Sequence, residues 1–134
     1  LSFDIFNRDH ITFSIFVTII YVFTETLILF FFLTLNKKIK EIINENSIND
    51  IDQNKFYNLK SKVFKQTSLS LLIIGSNYIL GAGAHTLVIP LFIHTFLFYI
   101  GLFHYIFLVK IQHLCFKEVS DLIIRVNDKI VSKF

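Results

Sequence analysis

The chain has 134 residues, of which 54% are hydrophobic and 17 are Phe, and it carries a net charge of +3. A mean hydropathy of +0.62 excludes an ordinary soluble domain, because domains of this size bury only about 60–70% of the surface their unfolded chains expose. One cysteine excludes an internal disulfide framework, the lack of an Asn-x-Ser/Thr triplet excludes an N-linked glycan, and a charge gathered in two blocks suits a membrane face better than nucleic acid.

In chain order, residues 1–10 hold Asp4, Arg8 and Asp9 and lead into an apolar run too long for a signal peptide, with no small-residue cleavage site behind it. The chain opens on Leu1 and has no methionine, so the expectation is a piece of a longer protein. Residues 11–36 contain one charge, Glu25, and residues 66–109 contain none. Uncharged apolar runs of 18 or more residues read as membrane-spanning helices. The first span is expected over 11–35. Lys37, Lys38 and Lys40 mark its exit from the membrane, and Ile39, Ile42 and Ile43 keep a helical rhythm beyond them. The segment 44–54, rich in Asn, Asp and Ser, is expected to break that helix.

A second amphipathic stretch, 55–66, sets Phe56, Leu59 and Val63 on one face and leads into the second span, 67–84. Gly81 and Gly83 are read as weakening the helix ahead of a turn over 81–90, and Pro90 as the first residue of the third span, 90–112. In the tail, Val119, Leu122, Ile123, Val126 and Ile130 recur at helical spacing among charged residues. The expectation is an all-α integral membrane helix bundle, a single domain over 1–134. Its three transmembrane helices continue as amphipathic helices through segments 37–65 and 113–134. Those segments either lie on the bilayer surface or project from it and pack together.

Orientation follows from lysine and arginine. Residues 37–65 carry seven Lys and residues 110–134 carry four Lys and one Arg, whereas the first ten residues carry only Arg8 and the 81–90 turn carries neither. In a three-span chain both basic blocks fall on one side, which the positive-inside rule makes cytoplasmic, with the N-terminus outside.

No side chains suggest catalysis: Ser68, Ser70 and Ser76 have no acid–base partners in the pattern, and no phosphate-binding glycine loop appears, so no enzyme is expected. His85, His94, His104 and His113 invite a haem or metal reading. Nine residues turn a helix by about half a revolution, however, so His104 and His113 face apart, and His94 and His104 lie about 15 Å apart along one axis. No cofactor and no metal is expected. Glu25, in the middle of a span, should face the bundle interior or a water-filled cavity, as a ligand contact, part of an ion pathway, or a protonated or paired structural acid. Thr24 and Thr26 flank it, and Asn77 is a second buried polar group in need of a partner. Tyr21, Tyr78, Tyr99 and Tyr105 offer polar tips for a pocket or an interface. Cys115 stands at the expected cytoplasmic boundary, where a palmitoyl chain would anchor.

The stretch "ILFFFLTLNKKIKEIINENSINDIDQNKFYNLKSK", 28–62, resembles the region after the second membrane helix of insect gustatory receptors. The stretch "FHYIFLVKIQHLCFKEVSDLIIRVNDKI", 103–130, is similar to the end of their fourth helix, which leaves the membrane as an amphipathic rod. The resemblance implies helices two to four of a seven-helix, ligand-gated cation channel in the plasma membrane, assembled from like subunits and opened by a small-molecule tastant. The pore of that family is lined by the seventh helix. The implied ligand pocket, in the outer half of the bundle, includes Tyr21, Asn77, Tyr78, His94 and Tyr99, with Glu25 beneath. The competing reading, from the Phe-, Ile-, Lys- and Asn-rich composition, is a small accessory subunit of a respiratory complex in the mitochondrial inner membrane.

Overall fold

A computed structural model describes residues 2–46 and 53–133, with side chains from residue 11 onward. Three helices follow one another: α1 (Ser2–Glu45), α2 (Gln53–His85) and α3 (Leu91–Lys133). All three are long and apolar enough to cross a membrane. Their sequences are rich in Ile, Phe, Val and Thr, which are mediocre helix formers in water. In hydrocarbon every backbone polar group needs an internal partner, so helix is the conformation open to such a segment. The threonines fit the same demand: Thr18, Thr24, Thr26 and Thr95 each donate to the carbonyl four residues earlier, at 2.7–3.0 Å. Thr24 and Thr26 are exposed and make no hydrogen bond to Glu25, their hydroxyls bonding instead to Ile20 and Val22.

At 1.5 Å per residue, α1 and α3 are each about 65 Å long, twice the roughly 30 Å hydrocarbon core. The helices therefore project well beyond the membrane, and they do so together. Phe32, Ile39 and Ile43 of α1, Phe56, Leu59 and Val63 of α2, and Ile111, Cys115, Val119 and Leu122 of α3 form one buried cluster. Burying each large apolar side chain contributes roughly 1.5–3 kcal/mol, and this cluster selects the packed stalk over helices lying on the bilayer. Lys133 donates to the Asn46 carbonyl and ties the far ends of α3 and α1 together. Lys55 and Glu118 pair at 3.9 Å on the exposed stalk surface, where such a bridge contributes little.

Local details depart from the expectations. The first helix starts at Ser2 and runs without interruption to Glu45. The breaker segment 44–54 does separate α1 from α2, although residues 47–52 of it lie outside the described residues. Ile123 is 40% exposed while Val119, Leu122 and Val126 are buried, because the interior stripe steps 115, 119, 122, 126 and passes it by. Cys115 is 2% exposed, packed inside the stalk and out of reach of an acyl chain.

Gly81 and Gly83 do not form the turn. Both lie inside α2 and admit side chains from beyond it: a Cβ on Gly81 would stand 2.9 Å from His94 Cε1, and one on Gly83 would stand 2.7 Å from Ile89 Cδ1. The turn falls at Leu87, which has φ of 59°, a left-handed conformation that costs a non-glycine residue about 1–2 kcal/mol. Val88 N–H donates to the Gly83 carbonyl and Leu87 N–H to the Ala84 carbonyl, the paired bonds of a Schellman helix end. Pro90 stands one residue before α3, with its carbonyl accepting from Ile93 N–H at 3.0 Å.

Candidate functional site

Going from the stalk toward the other end of the bundle, the interior stripe of each helix changes character. On α1 the stripe Ile39, Phe32, Ile28 arrives at Glu25 and Tyr21. On α2 Phe56, Leu59, Val63 arrives at Thr67 and Ser70. On α3 Val119 and Cys115 arrive at Gln112, with the more exposed Tyr105 two turns beyond. Steps of three, four and seven keep these residues on one helix face, so the packing that builds the stalk also forces the polar groups inward. Glu25 is 3%, Thr67 0%, Ser70 1% and Gln112 6% exposed.

Gln112 Nε2 donates to Glu25 Oε2 at 2.6 Å and reaches Thr67 Oγ1 at 3.4 Å. One amide thus joins all three helices. One turn further from the stalk, the Tyr21 hydroxyl and Ser70 Oγ are hydrogen-bonded, and the Tyr21 ring meets Tyr105 edge-on with centroids 5.5 Å apart. On the stalk side the layer is bounded by the buried Phe32 and Ile111, and exposed rings pack beside Phe32. Phe116 lies 4.8 Å from Phe32 and 5.3 Å from Phe31, centroid to centroid.

Of the six residues expected to form a ligand site, Tyr21 and Glu25 sit together in this layer. Asn77 and His94 lie along the interior stripes of α2 and α3 beyond it, with Asn77 Oδ1 and His94 Nδ1 buried and without a protein partner. Asn77 is ten residues past Thr67, about 15 Å along α2, and the partner Glu25 finds is Gln112. Tyr78 and Tyr99 turn outward, at 44% and 55% exposed. A surface cleft lies elsewhere, between α1 and α2 in the stalk, lined by Asn36, Ile39, Lys40, Ile43, Gln53 and Phe56.

Sequence reasoning missed Gln112 and Thr67 and gave Ser70 no role. The signal is present in the sequence: each continues, at helical spacing, the apolar stripe of its helix beyond the stalk. The histidines do not converge. His85 and His113 are exposed, both ring nitrogens of His104 are buried without a protein partner, and among the described residues no three of His, Cys, Asp and Glu come together.

The fold defines a polytopic α-helical membrane protein, and this layer holds a buried carboxyl group where polar interior residues meet the apolar stalk cluster. Comparison with family models, with curated proteins and with solved structures returns no match.

Proposed function

We propose that the chain is the part of a gustatory-type chemosensory receptor that corresponds to its second, third and fourth helices, within a ligand-gated cation channel of the plasma membrane built from like subunits. The observation that carries this reading is the stalk. Three helices continue together as one packed rod, and α3 within it has the form of the amphipathic fourth-helix end that 103–130 resembles. The orientation belongs to the same proposal. The stalk carries the lysines of both basic blocks, which supports a cytoplasmic stalk and an outward turn at 86–90. In this role the segment supplies the wall of the bundle and its cytoplasmic support, while conduction belongs to the pore-lining helix of such receptors. A small-molecule tastant entering from the outer side would meet the interior of α1, α2 and α3, with Glu25 at the base. This is a binding and signalling role, not an enzymatic one.

The test is expression of the full reading frame in oocytes with surface expression and tastant-evoked current measured together. The proposal expects a cation current that the Glu25→Gln variant shifts in its dose dependence at unchanged surface expression. A reading frame that stops near Phe134, with a product that co-purifies with a respiratory complex, would replace it with the accessory-subunit reading.

A further inference from the structure

The interior of the bundle is inverted with respect to its surroundings. In the stalk, flanked by lysines, the inward side chains are apolar. In the membrane half, where outward side chains such as Phe23, Ile79 and Phe103 are 64–71% exposed, the inward stripes carry polar side chains among apolar ones such as Ile73 and Leu108. On α1 they present Ser14, Thr18, Tyr21 and Glu25, each less exposed than its neighbours. On α2 the stripe continues from Ser70 to Asn77 and Gly81, and on α3 from Leu108 to His104, Gly101 and His94.

Asn77 Oδ1, His94 Nδ1, and His104 Nδ1 and Nε2 are buried and have no hydrogen-bond partner in the protein. In a hydrocarbon environment each such atom is strongly unfavourable unless something polar meets it. The atoms define what that must be. A carbonyl oxygen needs a donor, and a neutral imidazole presents one N–H and one bare nitrogen, so His104 needs a donor and an acceptor at once. A small hydroxyl-bearing molecule supplies both, and water is the smallest.

We propose that the membrane half of the α1–α2–α3 interior is a hydrated seam, entered from the end opposite the stalk. Water reaches along Asn77 and His104 to Ser70 and Glu25 and is stopped by the buried side chains of Phe32 and Ile111. Glycines at 81 and 101 keep α2 and α3 close enough for the seam to stay narrow: a Cβ at Gly101 would lie 3.3 Å from Ile73 Cγ2. The Glu25 carboxyl then has water as well as Gln112, which fits its place inside a membrane span. The inference rests on the membrane-spanning fold and stands whether or not the chain belongs to a receptor.

The test is cysteine reactivity toward silver ion, a charged probe about the size of water that lipid excludes, with the variants reconstituted in vesicles and modification read by peptide mass. Asn77→Cys and Ile79→Cys lie at nearly the same depth on opposite faces of α2, and Ile79 is 71% exposed. Ser70→Cys changes one atom. Cys115, 2% exposed in the stalk, stays in every variant as the dry reference. Asn77→Cys and Ser70→Cys are expected to react about tenfold faster or more than Ile79→Cys and than Cys115, given the cost of bringing an ion into hydrocarbon. Seam cysteines that react no faster than Ile79→Cys overturn the proposal. A Val63→Cys variant that reacts as fast as Ser70→Cys overturns the closure at Phe32 and Ile111.

Discussion

Glu25 illustrates how one residue constrains three helices. A carboxyl group in a span requires a donor, and the donor is supplied 87 positions along the chain by Gln112, at 2.6 Å. The same amide reaches Thr67, so the pair fixes both the rotation and the height of α1 against α3. Gln112→Leu leaves the buried carboxyl without its donor and is expected to cost about 1–3 kcal/mol. Adding Glu25→Leu removes the group that needed it, and most of the loss should disappear. Thermal unfolding of the two single variants and the double variant in detergent checks this. Additive losses would show that the two groups act independently. At this scale the sequence was half legible. Glu25 announced itself as a lone charge among 26 residues, whereas Gln112 carries no charge and reads as an ordinary polar residue until the stripe it belongs to is followed out of the stalk.

At the scale of elements, helix existence was legible and helix detail was not. Long uncharged runs favour helix in lipid, the breaker-rich 44–54 segment separates α1 from α2, and the second connection falls in the latter half of the expected 81–90 stretch, at 86–90. The assignment of Gly81 and Gly83 to the turn failed because glycine has two uses, conformational freedom and close approach. Only the packing of His94 and Ile89 against them tells which applies. Ile123 was misplaced for a related reason: an apolar residue next to Leu122 looks interior until the steps of four, three and four are counted. The stalk gives this a measurable consequence. Leu122 is 5% exposed and Ile124 55%, two positions apart on one helix. Leu122→Asp buries a charge in the apolar cluster and should lower the yield of folded protein sharply, since losing the burial of such a side chain alone costs roughly 1.5–3 kcal/mol. Ile124→Asp faces outward and should leave the yield near that of the parent. Equal losses would mean that the stalk helices are not packed as described.

For the molecule as a whole, the distribution of polarity sets the arrangement. Apolar surface suits lipid and charged surface suits water, so the basic blocks at 37–65 and 110–134 belong to the part outside the hydrocarbon. The charge pattern made the number of spans legible in the sequence. It could not show that the stalk helices would meet, because amphipathic helices can equally lie on a bilayer, and the choice depends on whether their apolar stripes coincide in register. The account depends most on α1, α2 and α3 crossing the membrane, with the 86–90 turn on one side and the stalk on the other. Thr86 and Lys117 are both exposed, and a cysteine at either can be challenged in intact cells with a thiol reagent that does not cross membranes. The account predicts that Thr86→Cys is labelled from outside and that Lys117→Cys is labelled only after permeabilisation. The reverse pattern would keep the three crossings but overturn the orientation, and with it the receptor reading. Labelling of both positions from the same side would contradict the three-span bundle itself.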